Sequence, residues 1–184
     1  MCSSTFEDLI VERETISMAV LRSHNIPSGM ELSSGANERT LDIIYSWIDD
    51  SDFVLLLLGG RYGSLDRASG LSYAELEYNY AKSHAKPVIV LWVTDAYLEK
   101  KVAGRSASAE VTYERENIDK WHTFKQRVTG DGFCIPISDP AELEPKVFAA
   151  LTRSRPATVP VAGSGSAPYL RTCSISMPPI RTRT

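Results

Sequence analysis

Two short runs of apolar residues, with a helical pattern between them, organise the chain. Residues 53–58 and 87–93 are unbroken apolar runs, and this length suits strands that are buried on both faces of a parallel sheet. Gly59 and Gly60 close the first run, and a helix is predicted to begin near Ser72, before the second run. The order strand, loop, helix, strand therefore predicts an α/β fold.

The helix that begins near Ser72 has an apolar face that contains one acidic residue. Helical spacing places four residues on this inner face: Tyr73, Leu76, Tyr80 and Ala81. Glu77 falls within the same face, whereas Glu75 is predicted on the opposite side, in a capping box with Ser72. A buried carboxylate needs a partner, water or a cleft, and open α/β sheets bind ligands where their strands end. Glu77 is therefore the leading candidate for a functional side chain.

The N-terminal part of the chain predicts two helices joined by an extended segment at residues 26–30. Ser4 or Thr5 can cap a helix that reaches to about Ser23, and Asn37 can cap a second helix. The apolar positions of that second helix are Leu41, Ile44, Tyr45 and Ile48.

This placement of the first helix leaves only Met1 and Cys2 for a preceding strand. In a flavodoxin-like sheet of order 2-1-3-4-5, the first strand lies inside the sheet. We therefore expect a doubly wound parallel sheet whose strand 1 is largely missing, and a chain that is truncated or mis-started relative to a longer protein. An upstream extension of about eight residues, a typical strand length, is expected to raise the melting temperature.

The C-terminal part predicts a loop with some helix at residues 94–114, a helix ended by Gly130, and a short strand at residues 133–137. The last helix is predicted to begin at Pro140 and to bury Leu143, Val147, Ala150 and Leu151. From residue 153 onward Pro, Ser, Gly, Thr and Arg dominate, which predicts disorder. The predicted organisation is one α/β domain at residues 1–152, followed by a tail or linker at residues 153–184.

Composition narrows the function classes. The 184 residues are 43% hydrophobic, enough for one domain with a core. Residues 1–152 carry 15 basic and 23 acidic residues, a net charge of −8, and the tail carries five arginines and no acid. An acidic body argues against nucleic-acid binding, and neither apolar run is long enough to span a membrane.

The remaining chemistry-bearing residue types form no recognisable site. Three cysteines, of which Cys134 lies in an apolar run and is expected to be buried, and three scattered histidines lack the spacing of metal ligands. The N-terminus has no signal-peptide pattern, so we expect a cytoplasmic protein.

Two loops are candidates for phosphate or anion binding. The loop after the first apolar run contains Gly60, Arg61 and Tyr62, and its backbone N–H groups could approach a phosphate with Arg61 as charge partner. The alternative is a tight exit from the strand that uses glycine for its backbone freedom. Residues 3–5, the run Ser3, Ser4 and Thr5, lie at the predicted start of the first helix, where they either bind an anion or act as N-caps.

Four ordered motifs in this sequence resemble those of the DUF4062 domain family. They are Ser-Ser-Thr-Phe-Glu-Asp-Leu at residues 3–9 with Glu12-Arg13, Pro-Ser-Gly-Met-Glu-Leu at 27–32, Gly-Gly-Arg-Tyr-Gly-Ser at 59–64, and Ser-Tyr-Ala-Glu-Leu-Glu-Tyr at 72–78. The resemblance covers about residues 3–152. It implies a domain that commonly stands at the N-terminus of larger signalling proteins with a STAND-type NTPase and repeats.

The layout is also similar to TIR and nucleoside deoxyribosyltransferase-like domains, in which a glutamate on the helix after the third strand acts on glycosidic bonds. Glu77, Ala81 and Lys86 match that spacing here. This resemblance implies Glu77 as the catalytic residue and NAD or a related nucleotide as ligand or substrate; no cofactor is otherwise indicated. With this resemblance, the residues expected to bind the ligand are Ser3, Ser4, Thr5, Gly60, Arg61, Tyr62 and Tyr73.

Two functions remain open at this point. The first is a TIR-like signalling module that binds a nucleotide-derived ligand and hydrolyses an N-glycosidic bond through Glu77. The second is a non-enzymatic adaptor that assembles through homotypic contacts, with NTPase and repeat modules in longer relatives. Glu77 itself has three open roles, which are catalysis, ligand binding without turnover, and a structural bond to a loop N–H or to an arginine such as Arg61.

Overall fold

The computed structural model describes residues 1–28, 40–104, 106–130 and 134–154. Within these ranges strands and helices alternate along the chain. The strands are β1 (Cys2–Ser4), β2 (Val54–Leu58), β3 (Val88–Val93) and β4 (Cys134–Ile137). The helices are α1 (Ile10–Arg22), α2 (Thr40–Asp49), α3 (Tyr73–Ser83), α4 (Asp95–Ala103), α5 (Ala109–Thr112), α6 (Ile118–Gly130) and α7 (Pro140–Ser154).

The four strands form one parallel sheet in the order β1-β2-β3-β4. Leu56 of β2 pairs with Ser3 of β1 on one side and with Val90 of β3 on the other. Every residue of β2 is buried, as expected for a strand covered by helices on both faces. The predicted α/β class, a doubly wound parallel sheet, is confirmed.

Side chains of β2 alternate between two hydrophobic cores. Leu55 and Leu57 pack in a core built with α1 and α7, whereas Leu56 and Leu58 pack in a core built with α3 and α6. Successive side chains of a strand point to opposite faces of the sheet, so an unbroken apolar run is what a strand between two helical layers requires. A smaller cluster around Ile44 and Ile48 attaches α2 to the same face as α3.

The first strand is short but present, which corrects the expected start of the first helix. Cys2–Ser4 pairs in parallel with β2, and α1 begins at Ile10, so Ser4 and Thr5 do not cap it. The amide of Cys2 donates to the carbonyl of Ser28 at 2.8 Å. The described part of the predicted extended segment therefore lies beside β1, on the side away from β2, where the order 2-1-3-4-5 places the second strand.

Residues 94–114 were predicted as a loop with some helix, and the helical part is larger than expected, because the segment forms α4 and α5. Both helices have conventional N-caps: the Thr94 hydroxyl accepts from the amide of Tyr97, and the Ser108 hydroxyl accepts from that of Val111, each at 3.4 Å. Helix α4 buries only Tyr97 and Leu98, so its apolar stripe is too thin to produce a clear helical period.

The other predicted elements fall close to their observed positions. Helix α7 begins at Pro140, the Asp139 carboxylate accepts from the amide of Ala141 at 3.0 Å, and the four predicted core residues of this helix are buried. Cys134 is half-buried rather than buried. The predicted Asn37 cap, residue 133 and residues 155–184 of the tail lie outside the described residues. Among the helices that the structure describes, none is long and apolar enough to cross a membrane.

Candidate functional site

A cavity of about 280 Å³ opens where β1 and β2 end, beside the first turns of α3. The turn between β1 and α1, the glycine-rich loop after β2 and helix α3 enclose it. Its lining residues are Ser4, Thr5, Phe6, Glu7, Asp8, Arg61, Tyr62, Gly63, Ser64, Tyr73, Ala74 and Glu77. The cavity therefore lies at the carboxyl edge of a parallel sheet, where doubly wound folds bind their ligands.

Glu77 lines this cavity from α3 and is 3% exposed. Helix α3 is fixed at its start by Ser72, whose hydroxyl accepts from the amide of Glu75 at 3.2 Å, so the predicted serine cap is confirmed. Arg61 does not lock Glu77 in place, because its guanidinium bonds Glu7 instead, at 2.7 Å.

The electrostatic surroundings of Glu77 hold it close to its titration point at neutral pH. Burial raises the pKa of the Glu77 carboxyl to about 7, against the smaller opposing effects of the Ser3 hydroxyl, Arg13 and the chain's amino terminus. A carboxyl with this pKa is present at pH 7 both as acid and as carboxylate. It can therefore donate a hydrogen bond to a ligand or stabilise positive charge on it.

A second buried carboxyl belongs to the part of the cavity wall that is formed by the turn before α1. Asp8 is 1% exposed, and neither of its carboxylate oxygens has a hydrogen-bond partner among the described residues. Burial raises the pKa of Asp8, and Thr5, Arg61 and Lys101 offset this in part. Its backbone is held by Lys101 of α4, whose ammonium donates to the Asp8 carbonyl at 2.6 Å.

The three residues predicted from the Ser-Ser-Thr turn have different surroundings. Ser4 and Thr5 line the cavity, whereas Ser3 is buried within β1. The Ser4 hydroxyl accepts a hydrogen bond from the guanidinium of Arg13. The hydroxyls of Ser3 and Thr5 are buried and make no hydrogen bond of normal geometry within the described part of the chain, although the Ser3 hydroxyl lies near enough to Glu77 to lower the pKa of its carboxyl.

The mouth of the cavity carries a charged pair and an aromatic ring. Arg61 and Glu7 form a partly exposed ion pair there, and Phe6 is exposed with the Arg13 guanidinium 5.6 Å from its ring centre. Tyr73 lines the wall at the start of α3. A neighbouring cavity of about 350 Å³ shares Arg61, Gly63 and Ser64 with the first, so the two together can take an elongated ligand.

Two other predicted ligand-binding residues make contacts that support the fold. Tyr62 reaches the cavity wall, but its hydroxyl donates to Glu75 in the interior. Gly60 is not part of the wall; a β-carbon at this position would collide with the carbonyl of Thr112, which packs directly over it. Their predicted contact with a ligand stays a prediction.

The buried face of α3 differs from the predicted one, because Tyr73, Leu76 and Tyr80 are half-buried and the buried residues are Ala74, Glu75, Glu77, Tyr78 and Ala81. Glu75, predicted on the opposite side, is therefore buried as well. Its carboxylate accepts from the Tyr62 hydroxyl and, at 2.5 Å, from the Arg127 guanidinium of α6. Helix α3 packs against the sheet on one side and against α6 on another, so more than one of its faces is covered. In a complete capping box the Glu75 carboxylate would also accept from the amide of Ser72. Here it bonds Tyr62 and Arg127 of α6 instead.

Asp8 is the residue of this site that the sequence pattern missed. It reads as an ordinary acidic residue in the first turn of a helix, and α1 begins two residues later than Asp8. The available signal was its position inside the Ser-Ser-Thr-Phe-Glu-Asp motif, next to the hydroxyls of the same turn. Among the described residues, no group of three or more His, Cys, Asp or Glu side chains is arranged to hold a metal ion.

The parallel sheet with helices on both faces defines a doubly wound α/β domain, with a cavity at the carboxyl edge of its sheet. The chain belongs to the family described as "Domain of unknown function (DUF4062)", whose model matches residues 1–152. This confirms the resemblance drawn from the four motifs. Comparison with curated proteins and with solved structures gives no match.

Proposed function

We propose that this domain is a TIR-like signalling module that binds a nucleotide such as NAD in the cavity beside Glu77 and hydrolyses its N-glycosidic bond. The observation that carries the proposal is the Glu77 carboxyl, which is buried, faces the cavity and has a pKa of about 7. The buried carboxylate of Glu12, by contrast, forms an ion pair with Lys101. Glu77 faces a cavity that can admit a ligand.

The reaction would need little from the protein beyond positioning and charge. Water forms a bond to the anomeric carbon, the bond from that carbon to the nicotinamide nitrogen breaks, and its electron pair leaves with neutral nicotinamide. One proton of the water is released. The Glu77 carboxylate would stabilise the oxocarbenium-like transition state or hold the ribose hydroxyls. Arg61 at the mouth would attract the pyrophosphate, and the neighbouring cavity would take the rest of the dinucleotide.

The test is the conversion of NAD to ADP-ribose and nicotinamide by the protein, followed by chromatography over a range of protein concentrations. The Glu77→Gln variant is expected to abolish product formation, whereas Glu75→Gln, a buried glutamate two residues away, should retain it. Equal product formation by the wild type and Glu77→Gln would contradict the catalytic role. Binding of NAD without conversion would leave a ligand-controlled module.

The second candidate function is an adaptor that assembles through homotypic contacts, and the outer face of α1 supports it. Val11 is 63% and Leu21 51% exposed, and Ile10 and Met18 are exposed with them. Ile10 and Leu21 lie about three turns apart and Val11 and Met18 about two, so all four share one face of the helix. An exposed apolar face of this kind is typical of a contact surface.

Sedimentation of the protein distinguishes the two functions. If α1 forms the contact, a Val11→Glu and Leu21→Glu double variant remains monomeric at concentrations where the wild type associates. A matched charge added on the exposed side of α2, Ser46→Glu, should leave association unchanged. An adaptor would lose signalling with the α1 variant and keep it with Glu77→Gln.

A further inference from the structure

The turn between β1 and α1 contains buried polar atoms that the protein itself leaves unsatisfied. Both carboxylate oxygens of Asp8 and the hydroxyl oxygen of Thr5 are buried without a hydrogen bond of normal geometry among the described residues, although the Thr5 hydroxyl lies near enough to Asp8 to lower the pKa of its carboxyl. Asp8 and Thr5 both line the cavity. Buried polar groups in folded proteins are nearly always paired, so each exception calls for an explanation.

The residues packed around Asp8 leave space for its carboxylate and hold its backbone in place. Its Oδ2 lies above Gly59, where a β-carbon would approach it to 2.5 Å. Lys101 donates to the Asp8 carbonyl at 2.6 Å and to both carboxylate oxygens of Glu12 at 2.8 Å. The backbone of Asp8 is thus anchored, and Asp8 forms part of the cavity wall.

The hydrogen-bonding chemistry of the Asp8 and Thr5 oxygens restricts which ligand groups can bind to them. Carboxylate oxygens only accept hydrogen bonds, and a serine or threonine hydroxyl both donates and accepts. A phosphate placed here would be repelled by Asp8, whereas a sugar hydroxyl can donate to the carboxylate and exchange a further hydrogen bond with Thr5. The positive group that suits a phosphate, Arg61, lies instead at the mouth.

We propose that Asp8 and Thr5 bind the vicinal hydroxyls of a ribosyl group, with Asp8 as the acceptor, in the cavity that Glu77 also lines. The inference rests on the proposed function in assigning this ribosyl group to the same nucleotide ligand. It orients that ligand, with the sugar hydroxyls inside the cavity at Asp8 and the phosphates toward Arg61. In this orientation Asp8 and Thr5 contact the hydroxyls of the sugar, and Glu77 lies near its anomeric carbon.

The probes are NAD, methyl β-D-ribofuranoside and its 2-deoxy counterpart, titrated at up to millimolar concentration while amide chemical shifts are recorded. The wild type is expected to prefer the riboside to the deoxyriboside, and Asp8→Asn to bind the riboside at least about tenfold more weakly and to lose that preference. Thr5→Val keeps the side-chain shape and should weaken binding about threefold. Asp50→Asn, an exposed aspartate ahead of β2, is the matched control and should change nothing.

Folding is monitored separately by melting without ligand. Because Asp8 is a buried, unpaired carboxylate, Asp8→Asn should melt at the same or a higher temperature while it binds the riboside more weakly. A structural role predicts the reverse, a lower melting temperature with unchanged riboside preference, and that result would overturn the proposal.

The two proposals fail in different ways. Binding of NAD with the same affinity and the same preference for the riboside in Asp8→Asn would overturn the role of Asp8 and leave the proposed function standing. Asp8-dependent binding of the riboside by a protein that does not bind NAD would support the sugar site and contradict the proposed function. No shift with any of the three probes would overturn both.

Discussion

The Asp8 carboxylate lies over Gly59 so closely that a β-carbon at position 59 would come within 2.5 Å of Oδ2 and 2.9 Å of a Leu9 methyl group. The last residues before α1 therefore pack directly on the backbone that leaves β2. This contact joins the turn before α1 to the end of β2 and determines where Asp8 Oδ2 lies. Any side chain at position 59 has to displace it.

Gly59→Ala is predicted to destabilise the fold and to disturb the cavity at once. The new methyl group meets both Asp8 and Leu9, and overpacking of this kind lowers the free energy of unfolding by about 1–3 kcal/mol. Urea denaturation measures the loss. Gly130→Ala is the control, because among the described residues no atom other than those of its chain neighbours and its own helix backbone lies within 4 Å of a β-carbon there, and alanine should stabilise this helical position by up to about 1 kcal/mol. Equal effects of the two substitutions would contradict the close packing.

Glu77→Gln is predicted to stabilise the ligand-free protein at neutral and alkaline pH. Between pH 4.5 and about 7 the unfolded chain has lost the Glu77 proton while the folded protein keeps it. The free energy of unfolding therefore falls as pH rises through this window, by about 3 kcal/mol in total. Glutamine does not titrate, so the difference between the variant and the wild type should be small below pH 4.5 and largest above pH 7.

Urea denaturation of both proteins at pH 4, 5.5, 7 and 8.5 measures this difference. A constant difference across the series would mean that the Glu77 carboxyl titrates normally and faces water, not a cavity wall.

Tyr62→Phe is predicted to lower stability without touching the wall chemistry. It removes the hydroxyl that donates to the buried Glu75 carboxylate and leaves one oxygen of that group unpaired, which costs about 1–3 kcal/mol. Tyr113→Phe removes the hydroxyl of a half-buried tyrosine that makes no such bond among the described residues, and should change stability far less. A loss in Tyr113→Phe as large as that in Tyr62→Phe would argue against the interaction with Glu75.

Lys101→Met is predicted to be among the most destabilising changes in α4. Lys101 donates to both oxygens of the buried Glu12 at 2.8 Å, and Tyr97 donates to one of them at 2.8 Å. Removal of the cation from a buried pair costs about 3–5 kcal/mol because it leaves an uncompensated charge. Thermal and urea denaturation measure this loss.

Arg22→Met breaks an exposed ion pair with Glu144 and serves as the matched control, with an expected change within about 1 kcal/mol. Since Lys101 also holds the Asp8 carbonyl, its loss should weaken riboside binding, and Arg22→Met should not. Similar stability losses in the two variants would contradict the buried pairing of Glu12 with Lys101.

The parts of the fold that could be predicted from sequence are those whose local pattern agrees with their tertiary role. The run at residues 53–58 is apolar at every position because β2 is buried on both faces. Ser72 was predicted to cap α3, and its hydroxyl does accept a hydrogen bond from the amide of Glu75. The start of α1 could not be predicted in this way. Ser4 and Thr5 are good N-caps, but pairing of Ser3 with Leu56 holds this segment in the sheet, and tertiary pairing outweighs the capping preference.

The candidate site was predictable in part for the same reason. Glu77 stands out because a carboxylate interrupts an apolar face, and the structure places it on a cavity wall with Ser4, Thr5, Arg61 and Tyr73. Asp8 carries no such mark, because its burial depends on α1, α4 and the exit of β2 coming together. Burial of Glu75 was not predicted because it depends on α6, which packs on Ala74 and Tyr78 of α3.

The most direct measurement of the central claim is a calorimetric titration of NAD into the wild type, Glu77→Gln and Glu75→Gln. If the cavity beside Glu77 is the nucleotide site, the wild type binds, Glu77→Gln binds about tenfold more weakly because a hydrogen bond to a charged group is lost, and Glu75→Gln stays within about twofold of the wild type. No heat of binding in the wild type, or the same affinity in all three proteins, would contradict the account.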